Sequence, residues 1–150
     1  MVIQRLQNLY LLISSILFAV LAFVPCASVI TGEHTINIGS MWSENLLECS
    51  QLSYVISILL GLAFFMPLLT ISKFHNLKFQ KNLCGISIMI TLALILLVLI
   101  CTFNIASYFN GSIAINSSIS LPLVALILEI MALRGIKADR KLLSDSSRLR

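Results

Sequence analysis

The sequence predicts an all-α integral membrane protein, a bundle of four transmembrane helices with both termini on the cytoplasmic side. Three observations carry that prediction. Hydrophobic residues make up 59% of the 150-residue chain and charged residues only 11%, against about 45–50% and about 25% in ordinary soluble domains. The apolar residues gather into four runs of about 20 residues, the length that crosses a hydrocarbon core of about 30 Å. All ten basic residues fall in the termini and the middle connection, so one side of the membrane holds them all. A soluble domain of this size buries only about 70% of the surface its chain exposes. With a mean hydropathy of +1.02, lipid is the expected solvent for much of the rest.

The elements follow in order along a single membrane domain, 1–150. Span one covers about 9–30, with Ser14, Ser15 and Ser28 inside it and Pro25 near its far end. Backbone amides find no water in a bilayer, so runs of this length must be helical. The outer loop 31–51 carries Glu33, Glu44 and Glu48 but no Lys or Arg. Its alternating His34–Ser40 stretch reads as a short extended or hairpin segment, and Trp42 as an interfacial anchor. Span two, about 52–72, carries Ser53, Ser57 and Gly61 at i, i+4 and i+8, a small-residue stripe expected to meet another helix. Pro67 is expected to kink it. The cytoplasmic loop 73–82 holds Lys73, Lys78 and Lys81. Span three, about 83–103, offers Ser87 and Thr91 as small packing residues. The uncharged outer loop 104–112 turns at Asn110-Gly111. Span four covers about 113–133 and leads into a basic cytoplasmic tail, 134–150. A rival reading makes span one a cleaved signal peptide, but the run exceeds the usual 7–15 residue apolar region. Pro25 also stands where a lipoprotein signal wants a small residue before Cys26.

Glu129 is the ionisable residue well inside an apolar run. An intramembrane carboxylate is a functional candidate because inserting it costs a few kcal/mol. Ser118, Pro122, Ala125, Glu129 and Ala132 share one face of span four, so Glu129 is expected to face other helices. Two roles are open there. One is a coupling group for protons or cations; the other is a structural carboxylate reaching the interface or pairing with Lys73, Lys81 or Arg134. No second intramembrane charge appears to form a relay, which counts against a transporter. In the tail, Arg134, Lys137, Arg140, Lys141, Arg148 and Arg150 alternate with leucines. They are candidate contacts to an anionic inner leaflet or to a membrane partner, another protein or a second copy. Cys26 and Cys49 are a candidate disulfide in the outer region, with Cys101 as a competing partner and free thiols as the default.

Other chemistry finds no support. There is no CxxC pair, no His at zinc spacing, no Gly-rich phosphate loop and no nucleophile elbow. Glu33, His34, Glu44 and Glu48 match no metal-ligand spacing. The net charge of +4 is not laid along a face interleaved with aromatics, so nucleic acid is not an expected partner. No cofactor and no enzymatic activity are expected. The expectation is a non-enzymatic accessory or scaffold component; the alternative is a small ion- or proton-coupled transporter working as an oligomer through Glu129.

Both ends of the chain resemble a known family. Ile3-Gln4-Arg5-Leu6-Gln7-Asn8-Leu9-Tyr10-Leu11-Leu12 is similar to the N-terminus of domain of unknown function 4293, small membrane proteins of Bacteroidota. Arg134, Ile136, Asp139, Lys141, Leu142 and Arg148-Leu149-Arg150 resemble its C-terminus. Arg140 departs from it, standing where the family has an acidic residue, as does Asp145-Ser146-Ser147 ahead of the final Arg. The resemblance implies a four-helix protein of the bacterial inner membrane with no assigned activity.

Overall fold

A computed structural model describes residues 2–31, 34–40, 50–73, 76–109 and 111–148. Four helices account for most of it: α1 (Val2–Leu21), α2 (Ser50–Ser72), α3 (Leu77–Phe109) and α4 (Ser120–Arg148). Three short strands join them, β1 (Ala27–Thr31), β2 (His34–Ile38) and β3 (Ser112–Ile115). Each helix packs on its neighbours in chain order, and α4 closes the ring against α1.

One spacing runs through all four helices. A buried seam runs through Gln7, Leu11, Ser14, Phe18 and Leu21 in α1, with Ser15 buried beside it, and through Ile56, Leu60, Ala63, Pro67 and Thr70 in α2. In α3 the seam runs through Gln80, Cys84, Ser87, Thr91, Leu94, Val98, Cys101 and Ile105, with Thr102 and Ala106 buried beside it, and in α4 through Pro122, Ala125, Glu129, Ala132, Ile136 and Asp139. Steps of three and four alternate in every case. That is the repeat of left-handed bundles, in which each helix keeps one seam turned inward.

Large apolar side chains also line the outside. Met89 is 67% exposed and Ile58 64%, and Leu9, Ile16, Phe65, Leu96 and Ile127 are exposed as well. Polar residues such as Gln7, Ser87, Thr91 and Glu129 buried inside, with large apolar residues exposed outside, is an arrangement that lipid permits and water penalises. Tyr54–Ser72, Leu77–Tyr108 and Ser117–Leu142 are each long and apolar enough to cross a membrane, and the apolar stretch Leu6–Leu21 is shorter. Together they mark the chain as membrane-embedded.

Element boundaries depart from the expected spans in informative places, and the fold is not purely helical. Helix α2 lies close to the expected 52–72. The first helix begins at Val2 and ends at Leu21, and Ala27–Thr31, expected as the end of span one and the first residue of the outer loop, is a strand. Pro25 does not continue a helix, and Val29, Ile30 and Thr31 are β-branched. Ser112–Ile115, expected at the loop end and the start of span four, is also a strand, and a 3-10 turn at Ser117–Ile119 precedes α4. Much of the expected outer loop 104–112 belongs to α3, and the expected tail 134–150 continues α4 to Arg148.

The strands form one antiparallel sheet in the order β2-β1-β3, with Val29 opposite Ile36 on one side and Ile113 on the other. The extended reading of His34–Ser40 holds for His34–Ile38, and its partner strand is the misread end of span one. Val29, Ile36 and Ile38 turn their side chains to the bundle, where they join Phe18, Leu21, Val98 and Cys101 in the larger apolar cluster, and Ala27 is buried as well. On the other face the Ser28 hydroxyl donates to Asn37 Oδ1 at 3.0 Å, and Asn116 Nδ2 donates to Ser28 Oγ at 3.1 Å. The sheet thus caps one end of the bundle, here called the sheet end. Lys73, Lys78, Lys81 and the basic residues of α4 mark the opposite, basic end. Trp42 and Asn110 lie outside the described residues.

Candidate functional site

The bundle interior changes character along its length. Near the sheet it is mostly apolar, with Thr102 and Ser40 as buried polar residues there. Toward the basic end a smaller cluster of Leu11, Cys84, Ala132 and Ile136 remains, and buried polar residues surround it: Gln7, Ser14, Thr70, Gln80, Ser87, Thr91, Glu129 and Asp139.

Glu129 sits between the two clusters and is fully buried. Its position on α4 follows from the three-four seam that places Pro122 and Ala125 inside. The Ser87 hydroxyl donates to Glu129 Oε1 at 2.6 Å and the Ser14 hydroxyl to the same oxygen at 3.4 Å, while Thr91 Oγ1 donates to Oε2 at 3.0 Å. Ser87 and Thr91 are one helical turn apart on α3, so their hydroxyls reach both oxygens of one carboxyl. The Cys84 thiol, a turn before Ser87, donates to the backbone carbonyl of Glu129 at 3.5 Å. The carboxyl group therefore ties α4 to α1 and α3. The expected reach toward Lys73, Lys81 or Arg134 is not what the side chain makes: it points into the bundle, and its partners are hydroxyls.

Hydroxyl groups both donate and accept, so this shell serves a carboxylate or a carboxylic acid by rotation alone. One carboxyl and three hydroxyls are also a set of hard oxygen donors. Among the described residues, no group of three or more His, Cys, Asp or Glu is placed to hold a metal ion.

A second polar tie was not anticipated. Gln7 Nε2 donates to Asp139 Oδ2 at 2.7 Å, joining the start of α1 to the far part of α4. Gly135 lets the two helices approach there, since a Cβ at that position would stand 2.7 Å from Gln7 Cγ. The stripe of Ala125, Glu129 and Ala132 continues to Ile136 and Asp139 at the same spacing, a signal concealed by treating everything after Leu133 as a tail. Of the basic residues, Arg134, Lys137, Arg140 and Lys141 are exposed, and Lys137, Arg140 and Lys141 come together with Lys81 of α3 around one pocket. The side chain of Arg148 and all of Arg150 lie outside the described residues. Cys26 is a buried free thiol packed against Gly39, and Cys49 lies outside the described residues.

The two terminal motifs thus meet in space, through Gln7 of the first and Asp139 of the second. The family model described as Domain of unknown function (DUF4293) matches residues 3–149. The chain belongs to this family. No curated protein and no solved structure matches it. The DUF4293 match spans both polar ties and the sheet, so the whole architecture described above falls within it.

Proposed function

We propose that the chain is a non-enzymatic accessory or scaffold component of a bacterial inner membrane, crossing it four times with both ends in the cytoplasm. The observation that carries this reading is the engagement of Glu129. Both of its oxygens are taken up by hydroxyls of α1 and α3, an arrangement that joins helices to one another. The crossing count is supported by α1, whose apolar stretch Leu6–Leu21 rises about 24 Å, most of a hydrocarbon core of about 30 Å. Orientation rests on the basic end, since Lys and Arg accumulate on cytoplasmic segments.

The test is substitution of Glu129 in purified protein and in proteoliposomes. A structural role predicts that Glu129→Gln leaves the unfolding midpoint and membrane assembly nearly unchanged. Removing Arg134–Arg150 would disturb assembly, because Ile136 and Asp139 are part of the bundle.

The same oxygens favour one other reading, a small proton- or cation-coupled transporter acting as an oligomer. One carboxyl and three hydroxyls could pass or hold such an ion. A flux abolished by Glu129→Gln, in protein whose unfolding is unchanged, would establish the transporter and displace the scaffold.

A further inference from the structure

At the basic end, the outer surface of α3 and α4 carries a feature that the Glu129 layer does not use. Lys81, Lys137, Arg140 and Lys141 line a pocket of about 320 Å³. Two of them, Lys81 and Lys137, also stand at the mouth of an open groove of about 650 Å³. Below the lysines the groove walls are apolar: Gly85, Met89, Ile90 and Ala93 of α3, Leu133 of α4 and Leu59 of α2. From Lys81 to Ala93 α3 rises about 18 Å, somewhat more than half of a hydrocarbon core of about 30 Å.

We propose that this groove binds one anionic phospholipid, its phosphate among the four cationic side chains and one acyl chain along Gly85–Ala93. The inference rests on the membrane-embedded reading of the helices but not on the direction in which they are inserted. Charge complementarity names the occupant. Lys81, Lys137 and Arg140 bring like charges together around one pocket, an anion between them relieves their repulsion, and basic residues near a bilayer surface draw anionic headgroups. The apolar continuation selects a lipid over an acidic peptide, which would leave polar backbone against Met89, Ile90 and Leu133. Gly85 gives the groove its depth. A Cβ there would meet nothing within 4 Å, so the space beside α3 is open and its filling does not disturb the bundle.

Native mass spectrometry of the full chain in detergent tests the site, with phosphatidylglycerol and phosphatidylcholine of identical acyl chains as competing probes. Wild-type protein is expected to retain phosphatidylglycerol at least about tenfold better. Lys81→Ala with Lys137→Ala should lower that preference about tenfold or more. Gly85→Leu should weaken retention of the lipid while leaving the unfolding midpoint in place. Lys81→Gln with Lys137→Gln supplies the same charge change with longer side chains if the alanine pair expresses poorly. Equal retention of the two lipids, or an undiminished preference in either lysine pair, would overturn the proposal. So would displacement of bound lipid by an acidic peptide at equal concentration, which would mark the cradle as a protein-docking face. Detergent-solubilised protein has no inside or outside, so such a failure would leave the four-span orientation to its own test.

Discussion

Glu129 and Gly135 show how single residues hold this bundle, and each makes a measurable prediction. Interhelical hydrogen bonds within membranes average about 0.6 kcal/mol and reach about 1.7. Losing three of them in Glu129→Ala should therefore cost about 2 kcal/mol, with a further penalty for the cavity. Glu129→Gln keeps an acceptor and places its amide against hydroxyls that can accept, so its cost should stay below about 1 kcal/mol. Denaturant titration in mixed micelles reads both. At Gly135 two effects compete. Alanine favours a helix by about 0.8–1.0 kcal/mol over glycine, yet its methyl would lie 2.7 Å from Gln7 Cγ, and overpacking costs about 1–3 kcal/mol. The clash should win, and Gly135→Ala should destabilise. Combining it with Gln7→Ala should cost less than the sum of the two single changes, because the crowded side chain is then gone. Gly61→Ala is the contrast: its Cβ meets open space, so the change should be neutral or slightly stabilising.

At the scale of elements, the sheet is the part the sequence concealed. Counting apolar residues finds runs of the right length but does not distinguish a lipid-crossing helix from a helix followed by a strand. The cues were present in Pro25, the β-branched Val29–Thr31 and the period-two stretch Ser112–Ile115. The inner seams were more legible. The three-four spacing placed Ala125, Glu129 and Ala132 on one face, and the structure buries them. The small-residue stripe of α2 misled, because Gly61 faces open space and the seam runs through Ile56, Leu60 and Ala63 instead. Bulk was the better guide there, since this first part of α2 meets the apolar half of the core. Gln7 and Asp139 lie 132 positions apart, and no local pattern in one sequence pairs them. For the sheet itself, Gly39 is the sensitive point. Its φ of +92° falls where side chains are disfavoured, and a Cβ would lie 2.9 Å from Cys26 Cβ. Gly39→Ala should cost about 1–2 kcal/mol in backbone strain alone. Hydrogen exchange should then show protection lost at Val29 and Ile36 but retained at Leu94 and Val98.

Across the whole molecule, chemistry is divided between the two ends. The sheet end carries uncharged strands and an apolar core beneath them, while the basic end carries polar ties inside and cations outside. The described residues of both terminal motifs lie toward the basic end, along with the lipid cradle and the Gln7–Asp139 tie. If that end is cytoplasmic, everything distinctive about the chain faces the cytoplasm. Single cysteines introduced into a cysteine-free background decide the matter, at exposed Thr35 on the sheet and exposed Lys78 at the start of α3. With intact spheroplasts and a membrane-impermeant maleimide, Thr35→Cys should be labelled at once and Lys78→Cys only after the membrane is permeabilised. Labelling of Lys78→Cys in intact spheroplasts, with Thr35→Cys protected, would contradict the four-span bundle with both ends inside.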